Sequence, residues 1–476
     1  MRKYTRMSGL YLLGGLLVGG CSTVNSKETA VEQVIEKPIF QNVAVHDPSV
    51  WEVGDEKYII GSHLQFAKTN DLIKWESLSQ SVPTTDLFED VYTELAEDFE
   101  FAKSDTLWAG DIIQLEDRKY YMYYCICEGS SPLSVLGLAV ADNIEGPYKK
   151  VDRIMTSGSG LTPDGQTYNA NVHPNVIDPH VFYDKEDNLW MVYGSYSGGI
   201  FILQMDPTTG MPKEKSYGTR LMGGNHSRIE APYMMYNEDT DYYYLFTSFG
   251  GLDAVGGYNI RVARSKNPDG PFEDYKGQDM SQAKGPANSF FDDKAIEGYG
   301  IKLIGNYVWD YGKGVSLKGY VSPGHNSIYY DEETDQSFII FHSRFVGMGE
   351  RYEVRVHSLL FNENGWPMIA PRRYAGEQIE EVALGDVQGD YMMIVDQEGI
   401  TSDRILSQEV RIDGNKISGT QEGEVQITED GMAVIKLGGE EVKGQFLPQW
   451  DDYTEKQTIT FTGLTSEGKS IQLVRK

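Results

Sequence analysis

The chain has 476 residues, 40% of them hydrophobic and 12% aromatic, enough for one large core and a smaller second domain. Its 42 basic and 71 acidic residues give a formal charge of −29, which repels phosphate backbones and argues against nucleic acid as a partner. With 51 Gly and 31 Tyr, the composition favours turns and strands, hence an all-β architecture.

The first elements in chain order are targeting signals. Arg2, Lys3 and Arg6 precede a short apolar run, Leu10 to Gly20, that ends in small residues. That run is too short to span a bilayer and predicts a secretory signal peptide over residues 1–20. The stretch Leu17-Val18-Gly19-Gly20-Cys21 resembles a bacterial lipobox, which implies cleavage before Cys21 and a lipid on its sulfur. The protein is then expected outside the cell, held to a membrane by that lipid, or secreted if the lipobox is not used. Residues 21–37 are polar and read as a tether.

Past residue 40 no long segment shows sustained helical periodicity. Short runs of Tyr, Val, Ile and Phe alternate with Gly, Asp and Asn turns. Five places share one shape: HDPSVWEVGDEKYIIGS from His46, AGDIIQLEDRKYYMYYC from Ala109, IDPHVFYDKEDNLWMVYGS from Ile177, IEAPYMMYNEDTDYYYLFTS from Ile229 and PGHNSIYYDEETDQSFIIFHS from Pro323. Each opens on a polar residue near Pro or Gly, runs through an apolar strand, crosses a polar turn and ends in a second apolar strand. Five such hairpins predict a five-bladed β-propeller over residues 38–375. The shorter alternating strands of residues 376–476, such as EVRIDG and TITFTG, predict a small β-barrel or sandwich. Cys125 and Cys127 sit two apart on one strand, a poor geometry for bridging each other, so no disulfide is expected, and no zinc-type Cys/His spacing occurs.

In a propeller the heads of the inner strands line one funnel. Asp47, Asp178 and Glu230 stand at three of those heads, each just before a proline or one residue removed from it. A proline after an acid predicts extended backbone at the strand entrance, which fixes where the carboxylate points. A lone Asp-Pro is ordinarily a turn or a solvated acid; three acids at equivalent positions point to paired-carboxylate chemistry of the kind glycoside hydrolysis needs. His325, beside Gly324, reads by itself as a turn or hydrogen-bonding residue.

These stretches resemble the family-43 glycoside hydrolases, in particular their larger two-domain extracellular endo-arabinanases. The matching residues are His46-Asp47-Pro48-Ser49-Val50, Leu107-Trp108-Ala109-Gly110-Asp111, Val176-Ile177-Asp178-Pro179-His180, Ser227 to Tyr233 and Pro323-Gly324-His325-Asn326-Ser327. The closing Gly365-Trp366-Pro367 and Pro371-Arg372-Arg373-Tyr374 match as well, and the set follows the family's order over roughly residues 40–476. The resemblance implies an inverting hydrolase of internal α-1,5-L-arabinofuranosidic bonds, with arabinan or arabino-oligosaccharides from plant cell walls as substrate. It implies Asp47 as general base, Glu230 as general acid and Asp178 as the carboxylate that orients the acid and tunes its pKa. It also implies a Ca2+ ion near His325, with waters completing its shell. Trp108 either packs in the core or stacks on a sugar ring, Tyr196 is a second candidate for substrate contact, and the Gly-rich stretch Gly250 to Tyr258 is a loop able to line the cleft. Exo-acting arabinofuranosidase or β-xylosidase activity, and a non-catalytic surface glycan-binding lipoprotein, remain as alternatives.

Overall fold

The computed structural model describes residues 37–312, 317–428 and 431–476, so the expected signal peptide, the expected lipidation site Cys21 and nearly all of the expected tether lie outside the described residues. Within these residues the chain forms five four-stranded antiparallel sheets, a closed eight-stranded barrel and one short parallel pair, Tyr307–Val308 with Ile405–Leu406. Two short helices, Val91–Glu94 and Ala96–Ala102, fill the connection between the first two sheets.

Each sheet is a propeller blade, and each of the five hairpins read from the sequence supplies its two innermost strands. The inner strands are Ser49–Val53, Asp111–Gln114, His180–Tyr183, Ile229–Asn237 and Tyr320–Asp331. They contact one another in a closed ring, the first against the fifth. The Val354 N–H of the fifth blade donates to Val43 O (2.9 Å), which sews the start of the propeller to its last blade. Every junction between blades is one apolar layer. Blades one and two share Tyr58, Ile60, Met122 and Tyr124; blades two and three share Ile113, Tyr123, Met191 and Tyr193. Blades three and four share Val192, Ile202, Leu245 and Ala263, and blades five and one share Ile59, Ala67, Phe338 and Ile340. Burial of such side chains stabilises by about 1.5–3 kcal/mol each, so blade strands that are apolar on both faces, as Met122 and Tyr123 show, are what close the ring.

The strand entrances differ from the sequence expectation. Asp47, Asp178, Ala231 and Ser322 each precede a proline, and each takes a left-handed backbone, with φ of 59°, 56°, 60° and 49°. Proline closes the right-handed helical region to the residue before it; at these four heads the chain uses the left-handed alternative rather than an extended one. Asp tolerates that region, whereas an Ala there is strained. In the fourth and fifth blades this turn coincides with a break in strand register, between Glu230 and Tyr233 and between Val321 and Gly324. Such bulges re-aim side chains at the rim of a sheet.

The C-terminal unit closes by pairing Gly389–Val395 with both Gln408–Asp413 and Ser470–Arg475, a barrel rather than a sandwich. Its interior is filled by Tyr391, Met393, Val425, Phe446, Phe461 and Leu473. It meets the propeller through a shared apolar layer of Trp309, Tyr320, Ile394, Leu447 and Val474. The two arginines that follow Pro371 pin the junction: Arg372 Nε lies 3.2 Å from Asp451 and Arg373 Nε 2.9 Å from Asp452. Tyr311 donates to both oxygens of Asp451 and itself accepts from Arg372. The Arg372 and Asp451 side chains are 1% and 0% exposed. Asp451→Ala is therefore expected to strand a buried guanidinium and cost about 3–5 kcal/mol, read as a lower urea midpoint, whereas the double replacement Arg372→Met/Asp451→Leu recovers most of that loss.

Candidate active site

Asp47, Asp178 and Glu230 come from blades one, three and four, and all three are buried. Asp47 is held from several sides. Ser62 Oγ donates to its Oδ2 (2.5 Å), and His46 Nδ1 lies 2.6 Å from the same oxygen. Its N–H donates to His342 Nδ1 (3.1 Å), which leaves the ring proton on His342 Nε2. His325 Nδ1 and His342 Nδ1 each lie 3.6 Å from Asp47 Oδ1. Burial works against an ionised Asp47, but the charge and hydrogen bond of His46 outweigh that and hold the carboxyl well below the usual carboxylate range. Burial pushes His325 down to about 4 and His342 well below the usual imidazole range, so both rings are neutral at pH 7.

Glu230 and Asp178 are treated in the opposite way. Glu230 Oε2 accepts from Ser195 Oγ (2.7 Å), and Tyr258 adds a second hydrogen bond. Asp178 Oδ2 accepts from the Ala231 N–H (3.2 Å), a donor aimed by the left-handed turn after Glu230. Among the described residues neither acid forms an ion pair, and only the more distant His46 charge favours ionised Glu230. Burial pushes Glu230 up to about 7 against the two hydroxyl donors. Burial, then the Glu230 charge, then that of Asp47, pushes Asp178 well above the usual range. The two carboxyls titrate as a pair that retains a proton near neutral pH. One funnel thus holds a carboxylate and a carboxylic acid at the same pH, the requirement for base and acid catalysis in one step.

The other candidates fall around this centre. His325 lies in the second of two register breaks of the fifth blade's inner strand, between Gly324 and Asn326, against Asp47. Trp108 is half-buried beside Cys125, Cys127 and Ile177; its Nε1 donates to Cys127 O (3.2 Å), which leaves ring surface, not the N–H, for any ligand. Tyr196 takes φ 46°, donates from its hydroxyl to Gly250 O (3.0 Å), and its N–H donates to Ile229 O (2.9 Å), one residue from Glu230. Cys125 and Cys127 are both free and buried.

Sequence reasoning named the acids but missed their partners: His46, Ser62, Ser195, Tyr258 and His342. A signal for three of the partners stood in the repeat. The second strand of the hairpins ends in Gly61-Ser62, Cys125, Gly194-Ser195, Thr247-Ser248 and His342-Ser343. Ser62 serves Asp47 and Ser195 serves Glu230, while Cys125 lies against the Asp178 backbone and Ser248 is the cross-strand neighbour of Glu230. Tyr258 ends the Gly-rich stretch and is admitted because residue 324 is glycine: a Cβ there would lie 2.5 Å from the Tyr258 ring.

Comparison with known proteins follows the same chain. The profile of glycosyl hydrolases family 43 matches residues 35–294, and that of a C-terminal lipocalin-like domain matches residues 371–472. The extracellular endo-α-(1→5)-L-arabinanase 2 of Bacillus subtilis is 53% identical over 92% of this chain and 94% of its own length. The extracellular endo-α-(1→5)-L-arabinanase of Thermotoga petrophila is 46% identical over 92% and 95%. Crystal structures of a family-43 glycoside hydrolase from Bacillus licheniformis and of the Thermotoga petrophila endo-1,5-α-L-arabinanase superpose with TM-scores of 0.89 and 0.88, at 51% and 44% identity. Each covers 92% of this chain, and 99% and 100% of its own.

The buried acid pair has a stability consequence. Below about pH 4 Glu230 is protonated in folded and unfolded chains alike. As pH rises towards 7 the folded chain keeps a proton that the unfolded chain releases, so stability falls. Glu230→Gln removes that penalty: above pH 7 it should be more stable than wild type by roughly 1–3 kcal/mol in urea unfolding, with the gap vanishing near pH 4.

Proposed function

The chain belongs to glycosyl hydrolase family 43, and from that premise we propose that it hydrolyses internal α-1,5-L-arabinofuranosidic bonds of arabinan with inversion at the anomeric carbon. The observation that carries the reading is the division of charge in the funnel: Asp47 ionised among its donors, Glu230 and Asp178 holding a proton between them. The two relatives named as extracellular endo-arabinanases, matched over nearly their whole length, support both substrate and export.

In this mechanism Asp47 takes a proton from a water molecule as its oxygen bonds to the anomeric carbon. The glycosidic C–O bond breaks, and Glu230 gives its proton to the departing oxygen. Ser62, His46 and the His342 ring fix the base, because Asp47 has both carboxyl and backbone N–H committed to them. Ser195 fixes the acid. Asp178 acts through Glu230, since its charge and the N–H of Ala231 decide where the shared proton rests. Trp108 offers a ring face to a sugar, and Tyr196 shapes the floor next to the acid. Lipidation at Cys21 would place this funnel at the outer surface of a membrane, within reach of polymeric substrate.

The surroundings of His325 fit a hydrated cation. The carboxylates of Asp47 and Asp111 both act on the His325 ring, and His180 Nδ1 is buried with no hydrogen-bond partner among the described residues. Calcium prefers oxygen ligands, so waters would supply most of its shell, with His325 as the protein ligand. When bound, such an ion supplies positive charge near Asp47 and favours its ionised form. If His325 holds it, calcium at about 100 times its Kd raises wild-type stability by about 2.7 kcal/mol, chelation reverses the gain, and His325→Ala shows neither response. Equal responses in both proteins place the ion elsewhere.

Glu230→Gln and Asp47→Asn are each expected to lose at least ~100-fold in turnover of linear arabinan without loss of folding. Ser195→Ala removes a donor that favours ionised Glu230, so the alkaline limb of kcat/KM, near 7 in the wild type, should move to higher pH. An early NMR time course should show the β-anomer of the new reducing end first. Appearance of the α-anomer first would mean that Asp47 attacks carbon rather than activating water.

A further inference from the structure

Next to the Glu230 side of the funnel stand two aromatic residues that nothing in the mechanism uses. Phe290 and Phe291 are 66% and 43% exposed, with ring centroids 4.1 Å apart. An adjacent pair of bare phenyl rings on so acidic a surface is unusual, because water is a poor neighbour for both faces.

The pair is held in place rather than left to a loose loop. Phe291 takes a left-handed backbone with φ 57°, a strained state for an aromatic residue that persists only where the surroundings impose it. Its N–H donates to His226 O (3.3 Å), and the His226 N–H in turn donates to Ser197 O (2.9 Å). Arg228 forms a two-pronged ion pair with Asp293 and sits over the Phe291 ring at 6.0 Å. The Phe291 and Tyr196 rings form a T-shaped pair with centroids 5.4 Å apart, and the Phe290 ring centroid lies 4.9 Å from that of His226. Tyr196 leads straight to the acid, since its N–H is bonded to Ile229 O beside Glu230. The exposed rings therefore form a rigid ledge that continues the catalytic floor outwards.

We propose that Phe290 and Phe291 form a remote sugar-binding subsite, on which a furanose residue of the arabinan chain stacks several units away from the bond being cleaved. The assignment rests on the arabinanase reading above. A sugar presents a C–H face that an aromatic ring accommodates, and a neutral chain approaches a protein of charge −29 without the repulsion that a polyanion meets. Phe290, the more exposed ring, is the stacking residue; Phe291 is wedged between Phe290 and Tyr196 and sets its angle.

The test compares substrates of different reach. With linear α-1,5-arabinan and α-1,5-arabinotriose as substrates of the full chain, Phe290→Ala is expected to lower the ratio of the polymer's kcat/KM to the trisaccharide's by about fivefold to tenfold, chiefly through KM. Phe290→Trp should restore the ratio. In a Glu230→Gln background, which binds without turnover, the rise in affinity from short to long arabino-oligosaccharides should shrink by the same factor on Phe290→Ala. An unchanged ratio, or an equal loss on both substrates, overturns the subsite. Failure of the wild type to hydrolyse linear arabinan would instead overturn the reading beneath it.

Discussion

Three carboxyl groups buried around one propeller axis cannot all carry charge, because desolvation and mutual repulsion both oppose it. Partner groups decide which acid stays ionised. Asp47 receives a hydroxyl, an imidazole contact and two further histidine rings, while Asp178 and Glu230 receive neutral donors and each other. The asymmetry makes one acid a base and keeps a proton on the other two. It also makes the site costly to fold above neutral pH, a cost that the apolar layers between the blades offset.

The propeller supplies this asymmetry cheaply because its parts repeat. A left-handed residue before proline turns the chain into the inner strand in four of the five blades, and the same turn aims an acid in two of them and the Ala231 N–H in another. The polar residue that ends each second strand then stands close to an acid head, either in its own blade, as Ser62 does for Asp47, or in the next, as Ser195 does for Glu230. Asp111 ties the ring in a third way, accepting from Ser49 Oγ (2.5 Å) of blade one and from the Val181 N–H (2.7 Å) of blade three. Positions equivalent in sequence become neighbours in space, so a small change of residue type at one of them changes the chemistry of the funnel.

Much of this was legible in the sequence, for physical reasons that can be named. The inner hairpins showed because apolar runs such as Tyr120–Cys127 and Leu189–Tyr193 flank polar turns, and the acids showed because they recur at one place in the repeat. The direction of the backbone at Asp47 and Asp178 was misread: proline forbids one region to its predecessor but leaves two, and only tertiary hydrogen bonds such as Asp47 N–H to His342 choose between them. Barrel and sandwich could not be separated because closure depends on Gly389–Val395 meeting Ser470–Arg475, a pairing some 80 residues apart in the chain that no local pattern records. His46, His342 and Tyr258 are ordinary residues in sequence; their role comes from what packs on them.

The claim that the three acids divide their charge is most directly tested by 13C NMR of carboxyl-labelled Asp and Glu, with Asp47, Asp178 and Glu230 assigned by substitution and followed from pH 3 to 9. The account predicts that Asp47 stays ionised throughout that range, while Asp178 and Glu230 titrate together, with a proton still bound at pH 6 and lost around and above pH 7. Three independent titrations near the ordinary carboxylate value of about 4 would contradict it, since the funnel would then hold no acid at neutral pH.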